Sequence, residues 1–335
     1  MSQLVLTNDQ IEGFERIRAS NGLISLALIP ELGGKISSLS DLRSGREWLW
    51  RHPRMAYARV AADASYVLEA DTGGWDECFP TVAPCAYPQP PWAGVAIPDH
   101  GELWSQAVQL TTSVEVDQVS FTSHWQGQQL PYRFERRLTL FADRPALRCH
   151  YTVQNLATEP LAWIWCAHPL IAIEPGMRIR TPAEARFNVW AATPADLVPA
   201  SSGLPFPPPA MHKGSPLDFG NLPPAPGAAI KLWSDPLQTE GWAAVEATDG
   251  ALRMTWDVTL LPQLALWINL GTWAADGGEP YYNLGLEPCI GAQDSLAEAV
   301  TRAQQYALLP AGATRSWWLE VELTRVEGAA SYGRS

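Results

Sequence analysis

The strongest constraint on this chain is a period of two. Apolar and polar residues alternate across residues 22–29 (GLISLALI), 34–40 (GKISSLS), 132–141 and 146–154. The same holds across 161–166, 241–247, 252–257, 263–270, 281–286 and 316–323, and residues 103–126 read as a further hairpin. Such alternation buries one face of a strand and leaves the other to solvent, and β-branched and aromatic residues favour extended backbone. One segment carries a helix signal: Ser295-Leu296-Ala297-Glu298 has the form of a capping box ahead of residues 299–309. No strand–helix–strand succession is present. The predicted fold is therefore all-β, with many antiparallel strands and little helix.

Two long stretches lack the pattern, at about 51–102 and 194–228, the second with eight prolines between Pro205 and Pro226. Strand-like segments resume on both sides of each, so they are expected to be loops on a single domain spanning residues 1–335. With 47% of 335 residues hydrophobic, the chain can bury a large core, which excludes disordered and fibrous classes. A formal net charge of -12 excludes nucleic acid and anionic membrane surfaces as natural partners. No basic-then-apolar leader opens the sequence and no run of 18 apolar residues occurs. The five cysteines include no C-x-x-C pair, so free thiols in a reducing, cytoplasmic setting are expected.

Familiar motifs are missing: no P-loop, no dinucleotide fingerprint, no G-x-S-x-G elbow, no H-E-x-x-H. The six histidines lack metal-ligand spacing, so neither a metal nor a cofactor is expected. Titratable groups gather instead in three blocks among glycine, proline and aromatic residues. These are G-G-W-D-E-C-F-P (73–80) with P-D-H-G-E-L-W (98–104), then W-C-A-H-P-L (165–170), then N-L-G-L-E-P (283–288). Each puts a His or Glu where an apolar strand ends, at a sheet rim, where ligands are met. The first block offers Asp76 and Glu77 to hydrogen-bond hydroxyls and Trp75 and Trp104 to stack on a sugar, with Lys35 able to reach the rim. Most of the sixteen tryptophans are expected in the core. Arg136 and Arg137, on an alternating strand, read as a solvated face.

Taken together the blocks resemble the aldose 1-epimerases, the galactose mutarotase-like proteins. The resemblance rests on His100-Gly101, His168-Pro169 and Gly285-Leu286-Glu287-Pro288 in that order. It extends to I-P-E-L-G-G-K-I-S-S-L (29–39), the G-R-E-W-L turn and the ending L-L-P-A-G-A-T-R-S-W-W-L-E-V (308–321). It implies a β-supersandwich that interconverts the α and β anomers of a free or phosphorylated aldose, without a cofactor. It further implies Glu287 as base, His168 as acid and His100 as the group that polarises the ring oxygen, with Gln263 and Trp267 bordering the pocket. The Glu287 carboxylate is expected to favour the imidazolium of His168. G-G-W-D-E-C-F-P departs from the galactose enzymes and is closer to the hexose-6-phosphate mutarotases, and Glu-Leu-Trp after His100-Gly101 is unlike either. The sugar, and the oligomeric state, are therefore not specified. The competing readings are a glycosidase or lyase pairing Glu287 with Asp76 or Glu77, and a sugar-binding protein without catalysis.

Overall fold

The alternating segments assemble into two large antiparallel sheets. The computed structural model describes residues 4–199, 202–275 and 277–325. The larger sheet has eleven strands. From edge to edge they are Val5–Ile11, Phe14–Ser20, Ile24–Ile29, Lys35–Asp41, Trp75–Cys78, Trp165–Ala172, Tyr282–Ile290, Gln263–Leu270, Ala228–Ser234 and Phe187–Thr193, with Arg46–Glu47 attached beside Lys35–Asp41. The smaller has eight, in the order Arg178–Arg180, Gly241–Glu246, Gly250–Trp256, Thr314–Arg325, Ala146–Asn155, Tyr132–Phe141, Gln118–Gln126 and Gln109–Val114. A continuous apolar core, including Leu26, Trp75, Phe134, Tyr151, Trp165 and Trp317, draws on both sheets. No helix among the described residues is long and apolar enough to cross a membrane.

Tyr132–Phe141 shows how the period is used, since every second residue from Tyr132 to Leu140 is buried and those between are exposed or half-buried. Arg136 falls on the inward row, so it is buried while Arg137 is exposed, and the two do not form one solvated face.

The central strands of the larger sheet differ. All of Trp75–Cys78 and Ala228–Ser234 is buried, as is Trp165–Ala172 apart from its last residue. A strand covered on both faces loses its alternation. For this reason Trp75–Cys78 was hidden inside the stretch at 51–102, and Ala228–Ser234 was unmarked beside the one at 194–228. That first stretch also holds a wide helical turn at Tyr66–Ala70. The hairpin expected at 103–126 is confined to Gln109–Val114 and Gln118–Gln126. The Ser295 hydroxyl does cap a helix, accepting from Glu298 N at 3.4 Å, but only Leu296–Glu298 and a wide turn at Ala299–Ala303 follow before strand resumes at Ala307–Leu309.

Candidate active site

Register decides which side chains meet. In an antiparallel pair, opposed residues point to the same face and alternate residues share it. His168 lies opposite Asp76, Cys166 lies opposite both Cys78 and Cys289, and Glu287 lies opposite Ala265. Asp76, Cys78, Cys166, His168, Glu287 and Cys289 therefore occupy one face of the larger sheet. Trp75, Glu77 and Phe79 point the other way, toward the smaller sheet.

A cavity of about 330 Å³ opens over this face. Its polar lining is Asp71, His100, His168, Thr193, Lys231, Glu287 and Asp294, and its apolar walls include Val67, Leu170, Trp190, Trp267 and Trp273. That size, with mostly apolar walls and a few convergent polar groups, suits a small-molecule site. A larger cavity of about 620 Å³ is lined by Ser65, Asp99, Glu102, Gln128 and Gln129 among others. It contains no His or Lys, and the acid–base groups gather in the smaller cavity.

Within the cavity His168 Nε2 is 3.8 Å from Glu287 Oε1. Lys231 Nζ donates to Glu287 Oε2 and lies 3.9 Å from Asp294 Oδ1. His100 comes from the loop across the sheet, with its backbone in the left-handed region at φ 58°. Its Nδ1 is 2.7 Å from Asp99 Oδ1, its ring stacks on Tyr66 at 4.1 Å, and it meets the His168 ring edge-on at 5.0 Å. Gly101 follows at φ 75°, and a Cβ there would sit 2.0 Å from Phe79 O, so only glycine lets the loop come down this close. Asp99 is held in turn: its Oδ2 accepts from Tyr66 N at 3.0 Å, and its carbonyl accepts from Trp104 Nε1 at 2.8 Å.

Burial governs the protonation states. It pushes His168 well below the usual histidine range, and His100, Lys231 and Lys35 push the same way. The expected imidazolium is thus corrected: despite Glu287 at 3.8 Å, His168 is a neutral ring at pH 7. Burial also lifts Asp71 to about 6, with Lys35 and His100 opposing. For Lys231, burial pulls downward, but the Glu287 and Asp294 carboxylates outweigh it and hold the ammonium well above the lysine range. Burial raises the Asp99 carboxyl too, but the His100 hydrogen bond prevails and keeps it low. Cys78, His100 and His168 bring ligand-type atoms within 4.8 Å of one another, and burial raises the Cys78 thiol well above its usual range.

The sequence-derived candidates divide sharply. Glu287, His168, His100 and Trp267 line the cavity. Asp76 is on the same face but is already engaged by Lys35 Nζ and by Tyr66 OH at 2.7 Å. Lys35 is buried rather than solvated, also donates to Gly73 O at 2.9 Å, and shares with Asp76 and Trp104 a void of only about 20 Å³. Trp104 does not line the cavity; it touches the site through Asp99 O and edge-on against Tyr66 at 5.3 Å. Trp75 and Glu77 do not meet the cavity, because adjacent residues on a strand cannot all face one way; Trp75 joins the core and Glu77 pairs with Arg136 at 3.1 Å. Gln263 lies one row beyond Glu287, where its Oε1 accepts from Gly291 N at 3.1 Å, and it does not line the cavity.

Residues that sequence reasoning missed are Lys231, Asp71, Asp294, Trp190 and Trp273. Lys231 had a usable signal. It is one of three lysines in the chain, and it interrupts the apolar run A-A-I-K-L-W.

No known family model and no curated protein matches this sequence. Solved structures do. A protein from Klebsiella pneumoniae, provisionally named an aldose 1-epimerase, is similar with a TM-score of 0.68 at 16% identity, over 97% of this chain and 85% of that one. A galactose mutarotase-like protein from Clostridium acetobutylicum gives 0.66 at 14% identity, over 96% and 99%. Another from Lactobacillus casei gives 0.61 at 14% identity, over 95% and 100%. With two large antiparallel sheets and this likeness over nearly its full length, the chain has the galactose mutarotase-like fold, an all-β supersandwich.

Proposed function

We propose that this chain is an aldose mutarotase acting on a free, neutral aldose. The observation that carries the reading is the pairing of Glu287 and His168 across 3.8 Å at the floor of a sugar-sized cavity, with Glu287 Oε1 buried and lacking a hydrogen-bond partner. A buried, unpaired carboxylate oxygen is costly unless a ligand supplies its donor.

Mutarotation needs one proton taken from the anomeric hydroxyl and one given to the ring oxygen. Glu287 is the base. The proton that the ring oxygen gains comes from the protonated ring of His100, held by Asp99 Oδ1 and left neutral by the transfer, while His168 only lends its N–H as a hydrogen bond to that oxygen. The C1–O5 bond breaks as the hydroxyl becomes the aldehyde. Rotation about C1–C2 turns the other face of the carbonyl, and the same groups return the protons as the ring closes. Trp190, Trp267 and Trp273 offer flat faces for the sugar C–H surface. A neutral sugar is favoured because Lys231, the sole Lys or Arg among the described lining residues, is already engaged by Glu287. The glycosidase reading draws no support from its proposed second carboxylates, since Asp76 does not line the cavity of Glu287 but a separate void of about 20 Å³, and Glu77 lies behind the sheet.

Anomer exchange measured by NMR magnetisation transfer, over a panel of free and 6-phosphorylated aldoses, tests the proposal. Exchange above the buffer rate for a free aldose, abolished in Glu287→Gln, is the expected outcome. Binding of a sugar without exchange, or full activity in Glu287→Gln, overturns it.

A further inference from the structure

The two carboxylate oxygens of Glu287 have unlike surroundings. Oε2 accepts from Lys231 Nζ and lies 3.7 Å from Cys166 Sγ. Oε1 is buried without a hydrogen-bond partner and faces His168 Nε2 at 3.8 Å. Gly285, two residues earlier on the same strand, clears the space beside it, since a Cβ at that position would lie 2.4 Å from Oε1. The carboxylate is therefore gripped on one side and open on the other. Lys231 also lies 3.9 Å from a second carboxylate, Asp294 Oδ1, whose oxygen is itself buried without a hydrogen-bond partner.

A carboxylate this dry needs a countercharge, because desolvation otherwise returns its proton. The groups around Glu287 are Lys231 on the Ala228–Ser234 strand, His168 and Cys166 on Trp165–Ala172, Cys78 on Trp75–Cys78, and Asp294, Asp71 and His100 from the loops. Two of these are thiols that burial keeps protonated, two are acids, and His168 is neutral. Lys231 is the fixed cation.

We propose that Lys231 is a positioning residue for the base: it holds Glu287 ionised through Oε2, leaves Oε1 as the oxygen that takes the anomeric proton, and turns to Asp294 while Glu287 carries that proton. This rests on the mutarotase reading and deepens it. The proton passes from the sugar hydroxyl to Oε1 and Lys231 keeps all of its own. Once the carboxyl is neutral, Asp294 is the stronger partner for the ammonium. Ring closure returns the proton and resets the pair.

Exchange rates of Lys231→Met, Lys231→Arg and Asp294→Asn across the pH range test this. Lys231→Met should lower kcat by on the order of 10²-fold at neutral pH, with little change in KM, and should move the acid limb of the profile to higher pH. The sign follows from the lost cation, which lets Glu287 keep its proton to higher pH. Lys231→Arg keeps the charge and should leave the limb in place. Asp294→Asn should slow kcat without moving the limb. A Lys231→Met profile parallel to wild type overturns the proposal. A wild-type chain that exchanges no sugar would fell the mutarotase reading instead, and Lys231 is then read by infrared spectroscopy. Relative to the wild-type spectrum, which already carries the buried Glu77 and Asp71 carboxyls, Lys231→Met should gain C=O intensity at neutral pH, and that gain should be lost in Lys231→Met/Glu287→Gln, which also serves as the fold reference. The absence of that gain in Lys231→Met overturns the proposal on its own.

Discussion

Glu77 Oε1 lies 3.1 Å from Arg136 Nη1 in the dry space between the two sheets, with the side chains 1% and 0% exposed. Tyr151 OH donates to the same oxygen at 3.0 Å, and Arg136 also donates to Gly34 O. The contact ties the strand beneath the active site to the opposite sheet. Burial pushes the Glu77 carboxyl up to about 7, and Arg136 opposes it. Removing one partner strands the other in an apolar setting, so Arg136→Met should cost about 3–5 kcal/mol. Glu77→Leu/Arg136→Met should cost less than the sum of its single changes, as urea midpoints in a double-mutant cycle would report. Wherever Glu77→Gln still folds, anomer exchange should persist. Exchange lost at an unchanged melting temperature would contradict a purely structural Glu77.

Asp71 gives the stability of the protein a pH dependence. It is buried at the cavity wall, one of its oxygens lacks a partner, and burial raises its carboxyl from the ordinary 3.8 to about 6. Between those values the folded state holds a proton that the unfolded chain has released. The unfolded state thus binds fewer protons, and stability falls as pH rises through the window. Integrated over the shift, Asp71 accounts for at most about 3 kcal/mol. Urea denaturation of Asp71→Asn from about pH 4 to 7 should show that part of the slope removed. An identical slope in the variant would exclude Asp71 as its source.

What could be read in the sequence follows from burial. Tyr132–Phe141 and its neighbours in the smaller sheet, half exposed, declared themselves by alternation. Trp75–Cys78 and Ala228–Ser234 are covered on both faces and gave no such signal. The motif residues His100, His168 and Glu287 were legible because each stands in a distinctive dipeptide or tetrapeptide, and they converge on one cavity. The residues between them were not. Asp76 and Glu77 look equivalent in sequence, yet the pleat sends one to the active-site face and the other to the core. Lys231 is far from every motif and reaches Glu287 only because Ala228–Ser234 and Tyr282–Ile290 both pair with Gln263–Leu270. Strand order of that kind is a long-range property that no local pattern encodes. The low charge state of His168 is likewise a product of burial and of cations contributed by distant segments.

Gly285 offers a test of how finely the base is placed. It is not in the left-handed region, so alanine meets no backbone penalty there. The obstacle is local: the added Cβ would lie 2.4 Å from Glu287 Oε1 and 3.1 Å from Trp267 Cβ. The carboxylate is the softer neighbour, because a side chain can rotate where a paired strand cannot. Gly285→Ala should therefore displace Oε1 from His168 and the sugar while the sheet stays intact. A displacement of this size, about 1 Å, carries a loss of on the order of 10²-fold in rate. On the mutarotase reading the loss should fall mainly on kcat, since two of the three tryptophan walls of the cavity, Trp190 and Trp273, stand on other segments. Exchange kinetics together with a thermal melt separate the cases. A kcat within about twofold of wild type in a folded Gly285→Ala would show that Oε1 is not the oxygen that takes the proton.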